Sequence, residues 1–145
     1  MSTWEHHDAG VLALPSGRLL RARSLRADLP GPAPDLRLVL RLTRPVTWPC
    51  TRWVRWPDFG VPLDPVDARA ALREAWTRCE AERVEVGCRG GIGRTGTALA
   101  CLAVLDGLDA GRAITYVRRH HHRRAVETPW QRRWVTSFAR AVDSG

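Results

Sequence analysis

The stretch between residues 83 and 107 constrains the fold of this chain more strongly than any other. A short strand is predicted over 83–87, a glycine-rich loop over 88–94, and a nearly all-apolar helix over 95–105 that ends before Gly107. A helix that is apolar on all sides is stable only when other elements bury it. We therefore predict that this helix lies in the core, directly behind the loop that precedes it.

The first half of the sequence is rich in predicted strands. Strands are expected at residues 11–14, 19–25, 36–42 and 51–56. The first two flank Pro15-Ser16-Gly17, which is a turn signal, so they are predicted to pair as a hairpin. Loops that contain prolines, at 26–35 and 43–49, separate the later strands.

The second half alternates between helix and strand signals. Asp64 is a predicted N-cap, with Pro65 in the first helical position and Asp67 in the first turn. This helix is expected to run to about residue 81, and its apolar residues share one face. The strand over 83–87 then follows it directly.

Two further helices are predicted near the end of the chain, at 109–122 and 129–142. Trp130, Trp134 and Phe138 recur every four residues in the second of them, so they are predicted to form a core stripe. Strands that feed helices favour a parallel sheet. We predict one α/β domain of 145 residues with a central, mostly parallel sheet, helices on both sides and a β-rich N-terminal part.

Composition narrows the class of protein. All 23 basic residues are arginine, the net charge is +8 and the pI is near 11.0, which allows anionic partners. A hydrophobic share of 44% supports a core and argues against intrinsic disorder. Neither a secretory signal nor an apolar run of about 18 residues is present, so we expect no membrane span and a cytoplasmic location with reduced cysteines. The lack of lysine and asparagine indicates a GC-rich, bacterial genome.

The glycine-rich loop carries the chemistry. Its glycines, Gly90, Gly91 and Gly93, allow the backbone to curl with N–H groups pointing inward, and the following helix adds the positive end of its dipole. Such a loop binds an anion. Cys88 at its mouth is then favoured as a reactive thiolate. Arg94, six positions later, is placed to grip the same anion with two N–H groups.

Three other interpretations of this loop stay open. Gly91, Gly93 and Gly96 match the dinucleotide-binding fingerprint, although no strand with an acidic end is predicted after the helix. A Walker A loop requires a lysine where Arg94 stands, and its second glycine is displaced by one position. The loop is also compatible with a structural glycine turn around a core cysteine.

A second candidate element lies thirty residues upstream, in the loop Trp56-Pro57-Asp58-Phe59-Gly60. The Asp58 carboxyl is a candidate general acid if its aromatic neighbours bury it. An aspartate beside proline and glycine is also a common turn residue. This loop therefore points to catalysis only together with the cysteine loop.

Together the two motifs resemble the cysteine-dependent protein tyrosine phosphatases. The pattern is C-x5-R-T-G after a strand with W-P-D-F-G upstream, and the similarity extends from about residue 51 to residue 138. The short chain is similar to the dual-specificity branch and its bacterial relatives. This resemblance implies the phosphatase fold and a phosphate-monoester hydrolase, first of all a protein-tyrosine or dual-specificity phosphatase.

The resemblance also implies roles for individual residues. Cys88 is the nucleophile that forms a cysteinyl-phosphate, Asp58 is the general acid and then the base, and Thr95 donates a hydrogen bond to the thiolate. Arg94 and the backbone N–H groups of the loop bind the phosphate oxygens. The other residues of this phosphate loop are Arg89, Gly90, Gly91, Ile92 and Gly93. The resemblance implies no metal and no cofactor.

Two positions need separate treatment. By resemblance, Gln131 positions the water that hydrolyses the intermediate, but Thr128-Pro129-Trp130-Gln131 is also a capping box, and both interpretations stay open. Most relatives have a histidine directly before the cysteine, where this chain has Gly87. We expect this departure to change how the loop is held.

The expected partners are anionic. The first is a phosphorylated protein, and the alternatives are a phosphoinositide or an RNA 5′-phosphate. A non-catalytic module that binds phosphate or nucleic acid is the rival from another class. The basic run at 118–124 either attracts such a partner or is a solvated helix end. A monomer is expected.

Overall fold

The computed structural model describes residues 2–45 and 50–144. The elements follow in the order β1 (Val11–Ala13), β2 (Leu19–Ser24), β3 (Leu36–Arg41), β4 (Thr51–Arg55), α1 (Pro65–Arg78), β5 (Val84–Cys88), α2 (Gly93–Leu105), α3 (Ala110–His120) and α4 (Pro129–Ser144). Every predicted strand and helix is present within a few residues of its expected bounds. Most of the loop predicted at 43–49 lies outside the described residues.

The five strands form one sheet in the order β1-β2-β5-β3-β4. Among the described strands, only β1 and β2 pair antiparallel, as the predicted hairpin, and the other pairs are parallel. The mostly parallel sheet is therefore confirmed. The carboxyl ends of parallel strands share one edge, and ligands of such sheets bind outside that edge. In this chain the edge is formed by Ser24, Cys88, Arg41 and Arg55.

Helix α2 occupies the centre of the molecule. All of its residues from Gly93 to Val104 are buried, and it packs against β5 and against the other three helices. The buried helix is confirmed, although it begins two residues earlier than predicted. Since α2 follows the loop after β5, the core itself fixes where that loop lies.

All four described helices share one hydrophobic core with alternate residues of β2, β3 and β5, so they lie on one face of the sheet. The prediction of helices on both sides is therefore wrong. The connection from β2 to β3 passes over the opposite face and contains no described helix. Trp4 covers that face near the N-terminus, where its indole Nε1 donates to Val84 O at 2.9 Å. The loop after β2 covers the rest, with Arg23 Nε donating to Ala27 O at 3.1 Å. Short loops and arginine side chains replace a helix layer here.

The start of α1 is as predicted. The Asp64 carboxylate accepts a hydrogen bond from Asp67 N at 3.1 Å, and Pro65 begins the helix. The helix ends at Arg78, three residues early, because the chain must turn there to feed β5. Within the described part of the chain, no helix has the length and apolar character that a bilayer crossing requires.

Candidate active site

A cavity of about 410 Å³ opens at the carboxyl edge of the parallel strands. The loops after β2, β3, β4 and β5 all contribute to its wall. Its lining residues are Leu25, Arg26, Arg41, Leu42, Thr43, Asp58, Arg89 and Arg94. The topology thus brings together the two motifs that are thirty residues apart in the sequence.

Cys88 is the last residue of β5 and lies at the base of the glycine-rich loop. Its side chain is buried, with only 2% of the residue exposed. The sulfur accepts hydrogen bonds from Thr95 Oγ1 at 3.0 Å and from Gly91 N at 3.2 Å. The loop therefore curls back over the cysteine, and the first turn of α2 supplies a second donor.

The curl depends on a glycine. Gly91 has a φ of +73°, a conformation that residues with a side chain rarely adopt. A Cβ at this position would lie 2.9 Å from Ser24 N, which belongs to the neighbouring strand β2. The loop is thus packed directly against the end of β2, and any side chain at Gly91 would push the two apart.

The structure also accounts for Gly87 in place of the histidine of most relatives. A Cβ at Gly87 would lie 3.0 Å from Leu25 Cδ2 and 3.2 Å from Arg23 O. Leu25 is held in this place because its N–H donates to Cys88 O at 2.9 Å. The side chain of Leu25 thus takes up the space into which a residue at position 87 would grow.

Arg94 lies in the first turn of α2 and is 6% exposed. Its Nη1 donates to Trp56 O at 3.2 Å, and its Nη2 lies 3.5 Å from Asp58 Oδ1. Its Nε is buried and has no hydrogen-bond partner among the described residues. A buried donor without a partner is costly, so this N–H is suited to an oxygen that the folded chain does not provide.

Asp58 lies on the wall of the cavity, but its surroundings differ from those predicted. Its side chain is 61% exposed and faces Arg94, so the expected burial by aromatic neighbours is absent. The carboxylate accepts a hydrogen bond from Phe59 N at 3.0 Å. The position beside Arg94, rather than an apolar environment, is what brings Asp58 to the site.

The loop that carries Asp58 is fastened to its neighbours through two carbonyl groups. Gly60 O accepts hydrogen bonds from Trp56 Nε1 at 2.7 Å and from Gln131 Nε2 at 3.1 Å. Phe59 O accepts a hydrogen bond from the Trp130 indole. The prediction that Trp130 belongs to the core stripe is wrong, because the residue is 47% exposed and contacts this loop instead.

Gln131 is fully buried at the start of α4 and forms the predicted capping box. Gln131 N donates to Thr128 Oγ1 at 3.2 Å, while Gln131 Oε1 accepts from Thr128 N at 3.3 Å and from Glu127 N at 2.9 Å. Its Nε2 reaches Gly60, as described above. Gln131 therefore joins the capped helix α4 to the Asp58 loop.

Two residues of the basic run at 118–124 are internal anchors, a role that the sequence did not reveal. Arg118 donates to Ala125 O at 2.8 Å and to Val126 O at 2.9 Å. His121 Nε2 donates to Gly91 O at 2.8 Å. Burial lowers the pKa of His121 below its usual 6.5, although the contact with Gly91 opposes that shift. A neutral imidazole thus holds the cysteine loop in place through its hydrogen bond to Gly91 O.

Comparison with known proteins agrees with this geometry. A family described as "Swiss Army Knife protein, DSP-PTPase phosphatase domain" matches residues 64–139, just over half of the chain. The chain belongs to this phosphatase family. The match spans α1 to α4 and so contains Cys88, Arg94 and Gln131, whereas the Asp58 loop lies outside it.

Individual relatives are more distant. An uncharacterized protein of Methanocaldococcus jannaschii is 35% identical over 96 residues, which are 66% of this chain and 58% of that protein. The receptor-type tyrosine-protein phosphatase epsilon of Rattus norvegicus is 32% identical over 89 residues, 60% of this chain and 11% of that protein. The chain thus spans about three fifths of the length of the first relative and about a tenth of the length of the second.

A solved structure supports the same family. The crystal structure of Tk-PTP in the active form superimposes with a TM-score of 0.62 at 26% identity. The alignment covers 73% of this chain and 80% of that one. The likeness therefore extends over most of both folds.

Proposed function

We propose that this chain hydrolyses phosphate monoesters through a cysteinyl-phosphate intermediate. One observation carries the proposal: Cys88 Sγ accepts two hydrogen bonds inside a loop whose far end places the unpartnered Arg94 Nε. Donors directed at the sulfur are placed to hydrogen-bond a thiolate nucleophile, and the guanidinium supplies the charge that a phosphate requires. The family of the chain supports the same reaction.

In the first step the Cys88 thiolate attacks phosphorus, and an S–P bond forms as the bond from phosphorus to the leaving oxygen breaks. Arg94 and the N–H groups of the phosphate loop, from Arg89 to Gly93, hold the three non-bridging oxygens. Their donors stabilise the charge on these oxygens in the transition state. Asp58, on the opposite wall, gives its proton to the leaving oxygen.

In the second step water attacks the phosphorus of the intermediate, and Asp58 takes the proton that the water loses. The S–P bond breaks, and the released thiolate is stabilised by the hydroxyl of Thr95, which already lies 3.0 Å from the sulfur. Gln131 serves this step by holding the Asp58 loop through Gly60. Placing the water itself is the role that the family resemblance gives to Gln131.

The proposed substrate class is that of the family, namely phosphotyrosine in proteins. A dual-specificity enzyme would also accept phosphoserine and phosphothreonine. A phosphoinositide or an RNA 5′-phosphate is the alternative, and the arginines of the cavity favour such a polyanion.

We further propose a single-domain monomer, because one chain supplies every residue of the site. Since a thiolate nucleophile requires a reducing compartment, the proposed location is the cytoplasm of a bacterium.

The test is hydrolysis of p-nitrophenyl phosphate by the wild type, Cys88→Ser and Asp58→Ala, with a chelator present. We expect turnover by the wild type and none above background by Cys88→Ser. Asp58→Ala is expected to lose more activity on phenyl phosphate, which has a poor leaving group, than on p-nitrophenyl phosphate. Binding of phosphate by a wild type without turnover would instead identify a non-catalytic phosphate-binding module.

A further inference from the structure

The cavity contains more positive charge than one phosphate group requires. Besides Arg94, three arginines line it, namely Arg26, Arg41 and Arg89, and Asp58 is the only carboxylate among its described lining residues. Within the described residues, none of these three arginines forms an ion pair with a carboxylate. The cavity therefore has guanidinium groups whose counter-charge the described chain does not supply.

Two of these arginines are placed side by side by backbone contacts. The Ser24 hydroxyl donates to Arg89 O at 2.7 Å and accepts from Arg26 N at 3.3 Å. Leu25 N, between them, donates to Cys88 O at 2.9 Å. The loop after β2 is thus fixed to the phosphate loop, and Arg26 and Arg89 share one wall.

Arg41 lies on the other wall, at the end of β3. Its backbone oxygen accepts hydrogen bonds from Trp53 Nε1 at 2.8 Å and from Trp56 N at 3.1 Å, which ties it to the strand that leads into the Asp58 loop. Its Nη2 donates to Thr43 Oγ1 at 3.0 Å, so the side chain is also oriented. Strand β5, with Cys88, lies between the two walls.

We propose that Arg26, Arg41 and Arg89 form a subsite for a second phosphate group of the substrate. This inference rests on the proposed hydrolysis, since it concerns the same cavity, and it selects the polyanionic alternative for the substrate over phosphotyrosine. A volume of about 410 Å³ is in the range of small-molecule sites, so both phosphates belong to one compact scaffold. The chemistry is that of a polyphosphorylated ring such as an inositol phosphate, either free or as a lipid headgroup. Planar guanidinium groups are well suited to phosphate oxygens.

The experiment measures binding and turnover separately. Binding of inositol 1,4,5-trisphosphate, of inositol 1-phosphate and of an acidic phosphotyrosine peptide to Cys88→Ser is measured by calorimetry, which requires no catalysis. Phosphate release from both compounds and from p-nitrophenyl phosphate is measured on the wild type. The control variant is Arg140→Gln, with which Arg26→Gln, Arg41→Gln and Arg89→Gln are compared. It removes the same charge from an exposed position about 15 Å along α4 from the start of that helix.

We expect the trisphosphate to bind more tightly than the monophosphate. Each subsite substitution should lower the ratio of the two affinities by about tenfold, the effect of one charge-assisted hydrogen bond. Arg140→Gln should change neither ligand. Equal loss for both ligands, or no preference in Cys88→Ser, overturns the subsite. A preference confined to an acidic phosphotyrosine peptide also overturns it, because the scaffold would then be a protein.

The source of the scaffold is tested with vesicles that contain phosphatidylinositol 4,5-bisphosphate. Release from these vesicles that exceeds release from the soluble headgroup, and that falls in the three variants, supports the subsite and assigns it to a lipid. Comparable release from both supports it for a free headgroup. Should p-nitrophenyl phosphate not be hydrolysed while the trisphosphate still binds selectively, the proposed hydrolysis fails but the subsite stands.

Discussion

Two clusters of arginines lie along β5, one around Glu85 within the strand and one beyond Cys88 at its carboxyl end, and they differ in where their counter-charge comes from. The first lies on the sheet face opposite the helices, around Glu85. Arg21 Nη2 is 2.6 Å from Glu85 Oε1, while Arg23 Nη1 and Arg37 Nε are 3.5 and 3.8 Å from Glu85 Oε2. Pro30 O also accepts a hydrogen bond from Arg21. This cluster is closed, because the chain itself supplies the acceptors.

The second cluster, around Cys88, is open. Arg94 is nearly as buried as Arg21, yet its Nε has no partner among the described residues. Its nearest carboxylate, Asp58, is largely exposed and 3.5 Å away. The same residue type thus serves structure where the acceptors are built in, and it serves ligand binding where an acceptor is missing. The number of arginines alone does not distinguish a structural cluster from a ligand-binding one.

The largest expected effect comes from the open cluster. Arg94→Lys keeps the charge but removes the planar fork that holds two phosphate oxygens. We expect kcat/KM for p-nitrophenyl phosphate to fall by about 10³-fold, as for the loss of a donor to the transition state. The matched control is Arg21→Lys in the closed cluster, whose folded fraction should retain kcat/KM within about threefold. Similar losses for the two variants would remove the distinction between the clusters.

The closed cluster is tested by its effect on stability. Glu85→Gln leaves buried guanidinium groups without their shared carboxylate, so the free energy of unfolding should fall by about 3 kcal/mol. Glu74→Gln is the control, since Glu74 pairs with Arg78 at 3.1 Å but is 42% exposed, and its loss should be under about 1 kcal/mol. Urea unfolding measures both. Equal destabilisation by the two substitutions would mean that the cluster is not a structural unit.

A smaller effect is expected where the site is joined to α4. Gln131→Ala removes the capping-box acceptor and the hydrogen bond to Gly60, so we expect a stability loss of about 1 kcal/mol. Because the Asp58 loop loses one of its anchors, kcat on phenyl phosphate should fall about tenfold, and less on p-nitrophenyl phosphate. Arg132→Ala, on the exposed side of the same turn, is the control. If the two substrates lose activity equally, Gln131 does not act through Asp58.

Local signals in the sequence predicted the elements and the cysteine loop. Asp64 and Pro65 mark the start of a helix by their own chemistry, and the glycines before Arg94 mark a curled loop in the same way. The neighbours of that loop could not be predicted. Arg26 and Arg41 reach it only because β2 and β3 flank β5, a strand order that no local pattern encodes.

The wrong predictions have the same physical origin. Periodicity placed Trp130 in the core, but its indole N–H donates to Phe59 O, a partner 71 residues earlier that the helix pattern does not contain. Helices were expected on both faces of the sheet because strands feed helices in the second half of the sequence. Which face they cover depends on the direction of each crossover, and the loop after β2 covers the second face without a helix.

The smallest predicted effect concerns His121, which supports the open cluster from behind. Its pKa is lowered in the folded chain, mainly by burial, so below pH 6.5 the unfolded chain binds a proton more readily than the folded one. The stability due to neutral His121 is therefore present above pH 6.5 and is lost as the pH falls toward its lowered pKa. His121→Gln keeps a donor for Gly91 O but does not titrate. Between pH 7 and pH 5 the Tm of the variant should therefore fall less than the Tm of the wild type, and the difference should be roughly a few degrees. Parallel Tm curves would show that the support of the cysteine loop does not depend on the charge of His121.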